Sequence, residues 1–311
     1  MKPYLESLLL ILAIVAGSLV GLFTSFKTTL TDYFILAMLF FLFYNISLQG
    51  IFKGFKNRKY IGIALLVNFV FIPTLALLLS TLLVDKASAI FVGLIIYLFA
   101  PCTDWYLGFT KLANGDVEAN SALLPFNLLL QVLLLPVYLT VFTQNTISVP
   151  FEAFFEVLIY WVLIPFTAAQ LARLVVIKLK SDWVEKSSSL AEWLVLATLM
   201  LLIFSMFNAN IATLITNATY LPRVLAVILT FFIITFFIAR LVSRISSLTK
   251  KEEISLTMTT AARNAPLMLV ISLLFFPDQP LLHLVLVVGI LVEFPHLITI
   301  TSLLKRTVSS S

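Results

Sequence analysis

The chain has 311 residues, of which 61% are apolar or aromatic and only 11% are charged, against the roughly 25% charge of soluble domains. Twenty basic and 15 acidic residues cannot coat a water-soluble surface of this size, which excludes a soluble globular enzyme, and the apolar content excludes a disordered chain. Long apolar runs in place of apolar–polar alternation disfavour a membrane barrel, and the composition points to an all-α polytopic membrane protein.

A spanning helix needs about 20 mostly apolar residues. Ten such segments are predicted, in chain order 5–26, 31–52, 60–83, 88–113, 117–142, 152–177, 189–208, 219–244, 251–276 and 280–304. They leave no room for a soluble domain and no Ser/Pro-rich linker. The first follows Lys2 as a signal peptide would, yet it lacks a small-residue cleavage site with a polar start behind it.

Basic residues set the orientation. Loops on the N-terminal side carry Lys2, Lys53, Lys56, Arg58, Lys59, Lys111, Arg173, Lys178, Lys180, Lys186, Arg240, Arg244, Lys250, Lys251, Lys305 and Arg306. Loops on the other side carry only Lys27, Lys86 and Arg223. Both termini are therefore expected in the cytoplasm, with the protein in the inner (plasma) membrane. Topology accounts for the pI near 9.3, so no nucleic-acid partner is needed.

Two spans are interrupted. The fourth, GLIIYLFAPCTDWYLGFTKL, carries Pro101, Cys102, Thr103 and Asp104 near its middle; the ninth, ISLTMTTAARNAPLMLVISLLFF, carries Arg263, Asn264 and Pro266. Proline removes a backbone donor and clashes with the preceding turn, so each helix should break or kink there. Backbone freed at membrane depth is tolerated only inside protein or along a polar cavity. Asn127 follows Pro101 by 26 residues and Glu293 follows Pro266 by 27. Polar turns, Asn114-Gly115-Asp116 and Pro277-Asp278, close the two interrupted spans. Ten spans divide into two five-helix inverted repeats, residues 1–150 and 151–311, with spans 4 and 9 discontinuous and crossing. In that architecture solute and ion bind at the midplane crossing.

Asp104, Arg263 and Glu293 sit at depths where a charge costs at least about 2.5–3.5 kcal/mol. Asp104 and Arg263 come from opposite breaks and are expected to pair. That pair either locks the crossing or leaves Arg263 as a fixed cation for an anionic substrate. Glu293, just before Pro295, is placed to carry a proton or coordinate a cation, and a kink there would expose main-chain carbonyls. Asn127 and Gln131 lie four apart on one helix face and suit hydrogen bonds to a small polar solute; Thr103 and Asn264 flank the breaks. Cys102 places a thiol at a helix break, where it can meet a thiophilic solute. His296 and Glu156 are weaker candidates. A single cysteine excludes an internal disulfide and a multi-cysteine metal site. The sequence shows no metal-ligand spacing, phosphate loop or catalytic triad, and no cofactor is expected.

APCTDWYLGFTKLANGDVEANSALLPFNLLLQVLLLPVY resembles the fourth and fifth helices of arsenite efflux permeases in the bile acid/sodium symporter superfamily. GILVEFPHL resembles the tenth-helix GxLVExP element of the same proteins. The resemblance implies ten helices, crossing discontinuous helices, panel and core domains, and functional roles for Cys102 and Glu293 with Asn127 and Gln131 in support. At the ninth-helix crossing the chain departs from the family. ARNAP carries Arg263 and no carboxylate, so a fixed cation stands where a sodium-coupled relative would hold Na⁺.

The leading expectation is a secondary transporter exporting arsenite or antimonite in exchange for protons, with Cys102 contacting the metalloid oxyacid and Glu293 carrying the proton. The alternative is Na⁺- or H⁺-coupled transport of a small organic anion whose carboxylate pairs with Arg263. A third reading, a membrane receptor or scaffold, is disfavoured by the paired breaks. Oligomeric state is not legible.

Overall fold

The computed structural model describes residues 3–24, 30–46, 57–86, 88–103, 105–143, 158–179 and 183–309. The helices are α1 (Pro3–Phe23), α2 (Thr31–Tyr44), α3 (Arg58–Leu66, passing through a π-helical stretch Val67–Phe71 into Ile72–Leu83), α4 (Ala89–Phe99), α5 (Tyr106–Leu112) and α6 (Val117–Thr143). Then come α7 (Ile164–Leu179, entered through a π-helical turn Leu158–Leu163), α8 (Trp183–Thr216), α9 (Leu221–Ile245), α10 (Lys250–Ala261), α11 (Ala265–Phe275) and α12 (Pro280–Ser309). Among the described residues the β-type pairing is a single isolated antiparallel bridge, Pro101 to Arg263.

Six helical stretches are long and apolar enough to cross a bilayer: Arg58–Leu83, Val117–Phe142, Ile159–Leu179, Trp183–Thr216, Ala218–Ile245 and Pro280–Lys305. Leu8–Phe23, Thr31–Tyr44, Ala89–Phe99 and Ala265–Phe275 are shorter apolar helices. Two spans differ most from the expected bounds. α2 stops at Tyr44, well short of residue 52. α8 extends on both sides of the expected 189–208, because its polar ends contain no Pro or Gly to stop it. α12 is helical on both sides of Pro295, so the proline is accommodated within a continuous helix.

The chain divides into two compact units. One comprises Met1–Ile46, Val149–Ala218 and Val270–Pro280; the other comprises Ser47–Ser148, Thr219–Leu269 and Leu281–Ser311. In the first, α1 lies against α8 at Gly17 and Gly21, where an added Cβ would fall 2.5 Å from the Phe204 and Asn208 carbonyl oxygens. This is the small-xxx-small approach of membrane helices. The end of α2 is capped from α7: Gln170 Nε2 donates to Phe43 O at 2.8 Å and Arg173 Nη1 to Tyr44 O at 2.7 Å.

In the second unit α9 shows how a lipid-facing helix is patterned. Leu229, Ile233, Phe237 and Leu241, each four residues on, are exposed, while Phe231, Phe232, Thr235 and Ala239 are buried. α10 is the opposite case. Residues 253–261 are buried on every side although four of them are Ser or Thr, so their hydroxyls must find partners inside protein. Thr257 and Thr260 donate back to the carbonyls of Glu253 and Leu256.

Candidate functional site

The two broken helices meet within the second unit. α4 ends at Phe99, Ala100 turns into extended backbone, and the chain resumes helix at Tyr106. α10 ends at Ala261 and Ala262 is likewise extended before α11 begins. The two extended pieces pair: Cys102 N donates to Ala262 O at 3.1 Å and Asn264 N to Ala100 O at 2.9 Å. In this pattern the central residues, Pro101 and Arg263, turn their own main-chain polar groups away from each other. Proline has no N–H to satisfy in that position. Arg263 does, and its N–H donates to Glu293 Oε1 at 3.0 Å.

The crossing is tied to α12 at three further points. Tyr97 Oη donates to Gly289 O at 3.0 Å, one helical turn before Glu293. Trp105 stacks on Phe294 with ring centres 4.2 Å apart. Gly93 lets α4 approach so closely that a Cβ there would sit 2.8 Å from Leu282 O.

The Arg263 side chain is 1% exposed. Its Nη1 donates to Leu98 O at 2.9 Å, and its Nη2 to Thr259 O at 3.0 Å and Thr260 O at 2.7 Å. All three carbonyls belong to the last turns of α4 and α10, which lack acceptor-satisfying amides within their own helices. The guanidinium also lies 5.6 Å from the centre of the Phe231 ring. The expected partner, Asp104, lies outside the described residues, as does Glu156.

A buried carboxamide cluster adjoins the crossing. Asn264 Nδ2 donates to Thr103 Oγ1 at 3.0 Å and to Gln131 Oε1 at 3.2 Å. One turn along α6, Asn127 Nδ2 donates to Thr259 Oγ1 at 3.3 Å. Asn68 Nδ2 of α3 reaches both Thr259 Oγ1 at 3.1 Å and Asn127 Oδ1 at 3.4 Å. Gln131 Nε2 and Asn68 Oδ1 are buried with no partner among the described residues. Cys102, 4% exposed and in no disulfide, sits between the bridge and this cluster in sequence.

Of the residues singled out from the sequence, Cys102, Thr103, Asn127, Gln131, Arg263, Asn264 and Glu293 all fall in this one region of the second unit. His296 instead stacks flat on Phe232, ring centres 4.0 Å apart. Asn68 and Thr259 were not foreseen. Asn68 did carry a signal, a lone carboxamide in the apolar run LLVNFVFIP, where a polar group demands a partner. Thr259 carried none, being one threonine among several.

The sequence profile of the Sodium Bile acid symporter family matches residues 33–217. The arsenical-resistance protein Acr3 of Corynebacterium glutamicum is 24% identical over 255 residues, an alignment covering 78% of this chain and 69% of that protein. A profile match over more than half of the chain, apolar helices throughout and two broken helices crossing beside a buried polar cluster leave one assignment: the chain belongs to the sodium bile acid symporter family, and it is a multi-pass membrane transporter of a small solute, not an enzyme.

Proposed function

We propose that the protein exports arsenite or antimonite across the plasma membrane in exchange for protons. The observation that carries this reading is the use of the Arg263 guanidinium. Three of its five N–H groups donate to main-chain carbonyls, which leaves Nε, buried without a partner among the described residues, and one Nη1 N–H in place of the bidentate fork a carboxylate prefers, and this counts against the organic-anion alternative. Beside the Glu293 carboxylate, the groups near the crossing are a thiol, hydroxyls and neutral carboxamides, suited to an uncharged trihydroxy metalloid acid. The Cys102 thiol exchanges for one hydroxyl of that acid: a sulfur–metalloid bond forms, the hydroxyl leaves as water with the thiol proton, and water reverses the step on release. Gln131, Asn264, Thr103 and Asn127 supply donors and acceptors for the remaining hydroxyls. Glu293 carries the exchanged proton. The name of the Corynebacterium relative supports the substrate class.

The same reading counts each interrupted pair, α4 with α5 and α10 with α11, as one span. That gives ten spans in two inverted halves, 1–150 and 151–311, with both termini cytoplasmic. Inverted halves allow the crossing to open to one side and then the other. Everted vesicles test the proposal. Cys102→Ser is expected to lower proton-driven arsenite accumulation at least tenfold, and unchanged accumulation would reject the role of the thiol.

A further inference from the structure

The two rungs of the bridge between the broken helices end differently. A trans peptide group points its C=O and its N–H in opposite directions, and among the described residues no peptide bond is cis. One rung runs from Asn264 N to Ala100 O at 2.9 Å. The peptide group that carries Ala100 O has the Pro101 nitrogen at its other end, which bears no hydrogen, so the chain of hydrogen bonds stops there. The other rung runs from Cys102 N to Ala262 O at 3.1 Å. Its peptide group continues into Arg263 N–H, which donates to Glu293 Oε1 at 3.0 Å. A single peptide group, Ala262–Arg263, thus accepts from the residue that bears the thiol and donates to the carboxylate of α12. The α12 turn that holds Glu293 is gripped from both sides of the first break, by Tyr97 at Gly289 O and by Trp105 on Phe294. Those contacts fix the place of the acceptor, so the variable in the chain is its charge.

We propose that the Ala262–Arg263 peptide group couples the proton carrier to the thiol, so that the charge state of Glu293 sets how firmly the Cys102 backbone is held. This deepens the function proposed above and rests on its assignment of roles to Cys102 and Glu293. A hydrogen bond to an ionised acceptor is about twice as strong as one to a neutral acceptor, and bonds in series polarise one another. With Glu293 ionised, the peptide group is polarised, its oxygen binds the Cys102 amide tightly, and the thiol is held in one orientation. A proton on Glu293 slackens both bonds and releases the Cys102 segment. Metalloid binding and proton binding thereby oppose each other, and the opposition is reciprocal. Each proton that arrives loosens the metalloid, as exchange in opposite directions requires. Among the described residues, Tyr97 and Arg263 are the other titratable or charged groups that act on Glu293, and neither side chain interrupts the chain of hydrogen bonds.

Cys102 serves as its own reporter, since it is the single cysteine of the chain. Alkylation of detergent-purified protein by N-ethylmaleimide is timed in Arg263→Ala and in Arg263→Pro, each with and without Glu293→Gln. Both backgrounds lack the guanidinium; only the proline variant also lacks the N–H. Ala262 is already extended, φ −81° and ψ 138°, the conformation that a residue before proline adopts, and the facing bridge residue is itself a proline. In Arg263→Ala, Glu293→Gln is expected to raise the alkylation rate about threefold or more; in Arg263→Pro it should leave the rate unchanged, as a double-mutant cycle with no remaining interaction requires. Equal effects in both backgrounds, a slower rate, or no effect in Arg263→Ala overturn the coupling. If Arg263→Pro does not yield folded protein, or the thiol does not react, hydrogen exchange of the segment spanning Cys102 is compared between the parent protein and Glu293→Gln. Faster exchange in the variant supports the coupling, and unchanged or slower exchange overturns it. Arsenite tests the substrate separately, since it should protect Cys102 of the parent protein from N-ethylmaleimide. The rate pattern without arsenite protection keeps the coupling and counts against the proposed substrate; protection without the pattern keeps the substrate and overturns the coupling.

Discussion

Each buried charge at the crossing has a partner that its neighbours in sequence do not reveal. Glu293 accepts a main-chain N–H that exists because residue 263 is not a proline, whereas the opposite bridge residue, Pro101, has no such donor. Removing the carboxyl group therefore leaves an amide orphaned in a buried place. Glu293→Ala is expected to cost about 1.5–3 kcal/mol, the range for a hydrogen bond to a charged group, read as thermal or denaturant stability. Glu293→Gln keeps an acceptor oxygen and should lose much less. If Glu293 carries the exchanged proton, both variants lose solute movement driven by an imposed pH gradient. Proton-driven transport surviving in Glu293→Gln would assign the proton elsewhere.

At the scale of elements, half-helices need more than their own hydrogen bonds to stay in place, since α5 has only seven residues and α4 and α11 have 11 each and isolated helices of that length are marginal. The first broken helix is placed by packing on α12 and by polar ties. Asn120 is the main tie at one end. It accepts from Tyr60 Oη through Oδ1 and from Tyr106 Oη through its carbonyl, and its Nδ2 donates to Thr110 Oγ1 and Ser255 O. At the other, Gly93 allows α4 to touch α12. Gly93→Ala places a methyl group 2.8 Å from Leu282 O and 3.0 Å from Val285 Cβ, and overpacking of this kind costs typically about 1–3 kcal/mol. Gly62, in α3, has nothing within 4 Å of its added Cβ. Gly62→Ala should leave stability equal or raise it by up to about 1 kcal/mol, as expected within a helix. Thermal unfolding of the pair compares the two directly, and equal loss in both would reject the close-approach account of Gly93.

For the whole molecule, the placement of basic residues predicts that reporters fused to either terminus are active only on the cytoplasmic face. A reporter active outside would invert the topology. Proton exchange predicts the energetics: with the parent protein in vesicles, a pH gradient should drive arsenite and a sodium gradient of equal size should drive none. Sodium-driven movement would count against proton exchange.

Much of this was legible before any tertiary contact was known. Composition alone dictates the membrane, because 11% charge cannot cover a soluble surface. Pro101 and Pro266 dictate where helices stop, since proline acts on its own backbone and the preceding turn. The 3.6-residue period puts Asn127 and Gln131 on one face. These are local effects, and local effects can be read from sequence. Partner choice is not local. Arg263 meets Leu98 O, 165 positions away, and Asn68 meets Thr259, 191 away. No periodicity specifies such meetings; they follow from the register in which two extended pieces pair at the crossing. The tertiary structure decided that Arg263 serves carbonyls at two helix ends, that Glu293 serves a backbone amide, and that Asn68 and Thr259 join the site.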